Sequence, residues 1–215
     1  MDEVKEYGQG SFGTAGGKVV RIVTIIGEIE GHDVLSGNTK ATKYEHLIPQ
    51  LIEVDNDKMT DGILFVLNTI GGDVECGLAI AELMASLHKP TVSLVIGGSH
   101  SIGIPLAVSA KYSFLVPSAT MMVHPVRMSG TVVGAPQTYF QFYQMQERIV
   151  NFIVKHCKVE KTVFEELMLS KNMMAKDLGT VLVGQEAVDV GLIDEVGGLE
   201  NAIKKLEDMM GTSPA

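Results

Sequence analysis

The chain has 215 residues, 46% of them hydrophobic and 20% charged, which supplies a buried core for one large or two small domains and excludes intrinsic disorder over most of its length. With 17 basic and 26 acidic residues the net charge is −9 and no basic run occurs, so a nucleic-acid binder is excluded by phosphate repulsion. Two distant cysteines, no signal-peptide pattern at the start and no apolar stretch of about 18 residues give the expectation of a cytoplasmic protein with free thiols that is not integral to a membrane.

Residues 1–17 hold five glycines and few apolar residues, and read as a flexible arm. "KVVRIVTII" (18–26) is a β-branched run suited to a buried strand. "KYEHLIPQLIEV" (43–54) places Leu47, Ile48, Leu51 and Ile52 on one helical face, with Pro49 set to disturb an interior turn. "GILFVLN" (62–68) is the next strand, ended by "TIGGD", and a helix over 74–88 stops before Pro90. "TVSLVIG" predicts a strand running into a helix that opens near Ser101; "YSFLVP" and "TMMVHPV" predict short strands, followed by "SGTVVGA". Residues 136–157 form the longest helical pattern, a second helix fits "EKTVFEELMLS", and the tail offers "QEAVDVGLIDEVGG" and a closing helix over 199–210. Strands alternating with helices imply an α/β protein with a mainly parallel sheet, from which the long helix projects as an arm.

In such folds chemistry collects where a strand runs into the next helix, here "NTIGGDVE" (68–75) and "GGSHSIGI" (97–104). Gly71 and Gly72 lack a following G-K-[ST], which excludes a P-loop; they are either plain turn residues or unhindered N–H donors for an oxyanion. Ser101 is either a turn residue or a nucleophile at a helix mouth, where its own N–H and that of Ile102 are unpaired. The hydrolase elbow G-x-S-x-G is not met, because Ser99 stands at the first glycine. His124 ends an apolar strand, a place for a core histidine or for a base. His100 adjoins Ser101 and points elsewhere, and the other histidines lack metal-ligand spacing, so no metal and no cofactor are expected.

These residues carry a resemblance. "LNTIGGDVECGLAIAELMASLHKPTVSLVIGGSHSIGIPLAVSA", "MMVHPV" and "GQEAVDVGLIDEV", in that order, resemble the proteolytic subunit of the caseinolytic (Clp) proteases, self-compartmentalising serine peptidases. The resemblance runs from about residue 18 to the C-terminus and is nearest to the translocation-enhancing (TepA) branch of that family. It implies a ClpP/crotonase-like fold, a repeated ββα spiral with a projecting handle helix. The head would comprise 18–135 and 175–215, and the handle helices 136–174, after the 1–17 arm.

Residue by residue, the resemblance makes Ser101 the nucleophile and His124 the general base within hydrogen-bond reach of it. The N–H groups of Gly72 and Ile102 become the oxyanion hole. Gly71, Gly130, Thr131, Val132 and Val133 would bind an extended peptide along a β-edge. Counting back from "GLIDEV" without a gap puts Gly179 at the position of the acid; with a two-residue insertion Asp177 takes that role, in preference to Asp189 and Asp194. The implied substrate is a peptide or unfolded polypeptide, cleaved inside heptameric rings that stack as a tetradecamer. Leu64 and Val66 stand where the family's ATPase-docking strand has aromatics, and "HDVLSGNTKATKYEHLIPQ" is longer than usual, which leaves an unfoldase ATPase unassigned.

The expected function is a serine endopeptidase, ATP-independent or partner-assisted. Its rivals are a catalytically degenerate scaffold assisting preprotein translocation, a crotonase-type acyl-thioester enzyme that needs a carboxylate at the site, and a Ser–Lys peptidase using Lys111. Independently of the resemblance, 136–157 carries apolar residues around most of its circumference (Tyr139, Phe140, Tyr143, Ile149, Phe152 and others), which predicts a homo-oligomer built on this helix.

Overall fold

A computed structural model describes residues 10–127, 134–171 and 179–211. In chain order its first half contains β1 (Gly10–Gly13), β2 (Val19–Glu30), β3 (Ala41–Lys43), α1 (Tyr44–Asn56), β4 (Gly62–Gly72), α2 (Val74–Ser86) and β5 (Thr91–Ser99). There follow α3 (Gly103–Val108), β6 (Tyr112–Leu115), β7 (Thr120–Val123), α4 (Ala135–His156) and α5 (Lys161–Leu169). The chain ends with β8 (Thr180–Val183), α6 (Gln185–Asp189), β9 (Glu195–Val196) and α7 (Leu199–Gly211).

The long strands β2, β4 and β5 pair in parallel, and β6 and β9 continue the parallel order beyond β5. Their period of two sorts side chains onto two faces. Ile63, Phe65 and Leu67 of β4 join Val23 and Ile25 in the main core, under α1 to α5. Leu64 faces the other way, with Val20, Val92, Leu94 and Phe114, beneath Ala202 and Leu206 of α7. Parallel neighbours require crossovers, and α1, α2 and α3 supply them. All three parallel central strands therefore deliver their carboxyl ends to one edge, where the glycine pair and Ser101 lie.

Several expectations are corrected. Residues 10–13 of the supposed arm form β1, antiparallel to β2, because Phe12 packs on the second core. The apolar face of α1 is Leu47, Leu51 and Val54, with Ile52 half exposed, and the helix continues through Pro49. Strand β3 arises inside the long polar insert, where Thr42 Oγ1 accepts the Ile26 N–H at 2.9 Å and donates to its carbonyl at 3.0 Å. Among the described residues no helix is long and apolar enough to cross a membrane.

Candidate active site

Ser101 has φ 56°, the one positive φ outside glycine among the described residues. An L-residue reaches that region at a cost of about 1 kcal/mol or more, so the surrounding bonds must impose it. They do: the Ser101 N–H donates to Met122 O at 3.0 Å, the His100 N–H to Thr69 O at 3.1 Å, and the Ile104 N–H to Ser101 O at 3.0 Å. Ser99, fully buried, donates from Oγ to Gly103 O at 2.7 Å and anchors the turn from below. The Ser101 N–H is thus engaged, contrary to the expectation of two open donors. Ile102 stands at the N-cap of α3, with no side-chain cap.

The glycine pair abuts this turn. A Cβ on Gly71 would come within 2.8 Å of Ser101 Cβ, and one on Gly72 within 2.3 Å of Ile29 O; φ is +93° and +150° respectively. Thr69 joins the two loops: its Oγ1 donates to Gly27 O at 2.6 Å and accepts the Gly71 N–H at 3.1 Å, while its carbonyl holds His100. Nothing in the sequence singled Thr69 out. Gly72→Ala is expected to destabilise the protein by about 2 kcal/mol or more, because clash and strained φ add. Urea unfolding measures it, and an unchanged midpoint would show that this backbone is not held as described.

His124 follows β7, and with Ser101 it lines one cavity of about 180 Å³ that also takes in Gly72, Ile102 and the apolar Ile149, Ile153, Phe164 and Met168. Nδ1 of His124 lies 2.7 Å from Pro125 O. Among the described residues no hydrogen bond joins Ser101 Oγ to His124, so the expected contact is not made in this state, although the two share the cavity. Such bonds commonly tighten only around substrate.

Strands β7 and β8 pair antiparallel with Val123 opposite Thr180, which brings Gly179 against His124: a Cβ on Gly179 would lie 3.0 Å from His124 Cβ and 2.5 Å from Val123 O. Gly179, the position that the ungapped count assigns to the acid, therefore packs against the His124 backbone and Cβ with φ +136° and no room for a side chain. Asp177 lies outside the described residues, as do Gly130, Thr131, Val132 and Val133.

Other candidate groups are accounted for. Lys111 Nζ donates to the carbonyls of His88 at 2.6 Å and Lys89 at 2.8 Å, at the opposite ends of the strands, which removes the Ser–Lys arrangement. Burial pushes the Cys76 and Cys157 thiols up to about 11, so neither is a nucleophile at neutral pH.

His100 is half-buried, with Nε2 2.8 Å from Thr120 Oγ1 and its ring over Gly98. Burial, and then the charge of His124, hold its pKa below the usual 6.5. The folded state then binds this proton less readily than the unfolded chain. Stability from this source is intact above 6.5, falls as the pH drops below it, and levels off under the folded pKa. His100→Asn should shrink the stability loss between about pH 7.5 and about pH 5.5, measured by urea unfolding. An identical loss in the variant would show that His100 is not its source.

The family model for Clp protease matches residues 17–200. The chain belongs to the Clp protease family. Within it, the translocation-enhancing protein TepA of Halalkalibacterium halodurans is 48% identical over 210 residues, covering 98% of this chain and 82% of that protein. An ATP-dependent Clp protease proteolytic subunit of Streptococcus pneumoniae is 28% identical over 167 residues, covering 76% of this chain and 82% of that protein. The mixed α/β architecture with its mostly parallel sheet is consistent with Clp family membership.

Proposed function

We propose that this Clp-family chain is a serine endopeptidase that cleaves peptides or unfolded polypeptides. The observation that carries the reading is the placement of Ser101, at a strained φ on the mouth of α3, in one cavity with His124. Nε2 of His124 takes the Ser101 hydroxyl proton as Oγ attacks a peptide carbonyl, and returns it to the leaving amine. The N–H groups of Gly72 and Ile102 stabilise the oxyanion, and water then hydrolyses the acyl-enzyme. Asp177, two residues before the glycine that faces His124, supplies the carboxylate that offsets the imidazolium charge. The apolar cavity wall accepts the side chain preceding the cleaved bond, and Gly71 with 130–133 holds the extended substrate.

The head (18–135 and 175–215) would carry this chemistry and the handle (136–174) its assembly into stacked heptameric rings. Tyr139, Phe140 and Tyr143, between half and three-quarters exposed on α4, support an interface there. Leu64, at the place of the family's ATPase-docking strand, is fully buried under α7, which favours cleavage without an unfoldase. A fluorogenic peptide with an apolar residue before the cleaved bond tests the reading. Turnover without nucleotide, lost in His124→Ala, is expected; no turnover by the assembled chain would refute it.

A second reading is favoured by the 48% identity to a translocation-enhancing protein: a scaffold that binds polypeptides for translocation without cutting them. It predicts that the chain binds an unfolded polypeptide yet leaves it intact.

A further inference from the structure

The Pro125–Val126 peptide lies between the imidazole and α4. At one end, Nδ1 of His124 is 2.7 Å from Pro125 O. At the other, the Val126 N–H donates to Gln146 Oε1 at 3.3 Å. A carbonyl oxygen only accepts, so Nδ1 carries a proton here, and whenever the ring is neutral Nε2 is the nitrogen with the lone pair. An amide N–H only donates, so the Gln146 atom facing it must be the oxygen. The two bonds use opposite ends of one peptide unit, and an acceptor on its N–H raises the negative charge on its carbonyl oxygen.

We infer that Gln146 is a positioning residue, which acts through the Pro125–Val126 peptide to fix the tautomer and orientation of His124. The role assigned to His124 rests on the peptidase reading above; the tautomer itself does not. A base for Ser101 needs Nε2 unprotonated and aimed into the cavity, and this peptide supplies that condition from the backbone. Gln146 sits on α4 and lines the same cavity, so the seating of that helix and the state of the imidazole are joined by two hydrogen bonds. Among the described residues, the other titratable or charged groups on this side are His100, beside Ser101, and Arg127, which lines the cavity. From α4 and α5 the cavity receives neutral side chains: Gln146, Ile149, Val150, Ile153, Phe164 and Met168.

The test uses the full chain with Gln146→Leu and Gln146→Glu. The bond from Nδ1–H to the carbonyl is stronger when the ring is charged, so weakening it lowers the His124 pKa and strengthening it raises the pKa. Gln146→Leu should lower kcat about tenfold with KM within about twofold, and should move the acid limb of kcat/KM to lower pH. Gln146→Glu keeps an oxygen acceptor; it should retain kcat and move that limb upward. In a Ser101→Ala background with isotope-labelled histidine, NMR should find the Nδ1–H tautomer of His124, and Gln146→Leu should introduce the other tautomer and lower the ring pKa.

A Leu variant with lower kcat but unchanged tautomer and acid limb would make Gln146 merely structural and overturn the inference. If the Leu variant does not fold, an unmoved limb and ring pKa in Gln146→Glu overturn it equally. If the parent chain hydrolyses nothing while the ring responds as described, the peptidase reading fails and the positioning role stands.

Discussion

Ser101→Ala is expected to reduce peptide hydrolysis by about 10³-fold or more without unfolding the protein. The loop is held by the Ser101 N–H on Met122 and the Ser101 carbonyl under Ile104, both retained in alanine. Alanine meets the same strain at φ 56° as serine does, so the backbone penalty also cancels. What disappears is the hydroxyl that the cavity presents. The check is kcat/KM on a fluorogenic peptide beside a urea unfolding curve. Loss of activity with an unchanged midpoint is the expected pair. Retained hydrolysis would move the nucleophile elsewhere.

Replacing Phe140 and Tyr143 together by glutamate is expected to break the assembly and abolish activity at once. The amino-terminal half of α4 exposes Tyr139 by 75%, Phe140 by 60% and Tyr143 by 51%, while its carboxyl-terminal half buries Val150, Phe152 and Ile153 in the main core. An apolar helix face of that kind favours cover by another chain, and the occupant proposed above is the same face of a second copy, across a two-fold axis. Arg148 grips Glu75 of α2 with both nitrogens, at 2.7 and 3.0 Å, and Gln146 holds Val126, so a helix displaced by lost contacts pulls on both sides of the cavity. Sedimentation and peptide hydrolysis on the same sample measure the two effects. A parent chain that sediments as a monomer, or a split variant that keeps full activity, would contradict this account.

The parts legible in the sequence were those where local chemistry and tertiary use agree. Strands β4 and β5 open as apolar runs buried on both faces and β2 is a β-branched run buried on one, and the two strand-to-helix junctions with Gly72 and Ser101 do converge on one edge. Strand β1 was hidden because its glycines look mobile until Phe12 is seen against the second core. On α1 Leu47 and Leu51 turn inward as expected, while Ile48 and Ile52, equally apolar, do not, and only packing decides which pair is buried. Strand β8 lies in a stretch readable only as the approach to "GQEAVDVGLIDEV", and its pairing with β7 is what sets Gly179 against His124. Thr69 and Gln146 carry no motif at all. Each acts by bonding a backbone group far away in the chain, a relation that spacing does not encode.

The measurement that bears most directly on the central claim is labelling of the assembled chain with a fluorophosphonate, followed by peptide mapping. Such probes phosphonylate a serine whose hydroxyl is activated by a base: Oγ bonds to phosphorus, fluoride leaves and the base takes the proton. The account predicts one adduct, on Ser101, absent from Ser101→Ala and strongly reduced in His124→Ala. An assembled, folded chain that takes up no probe, or takes it up at a serine other than Ser101, would contradict it.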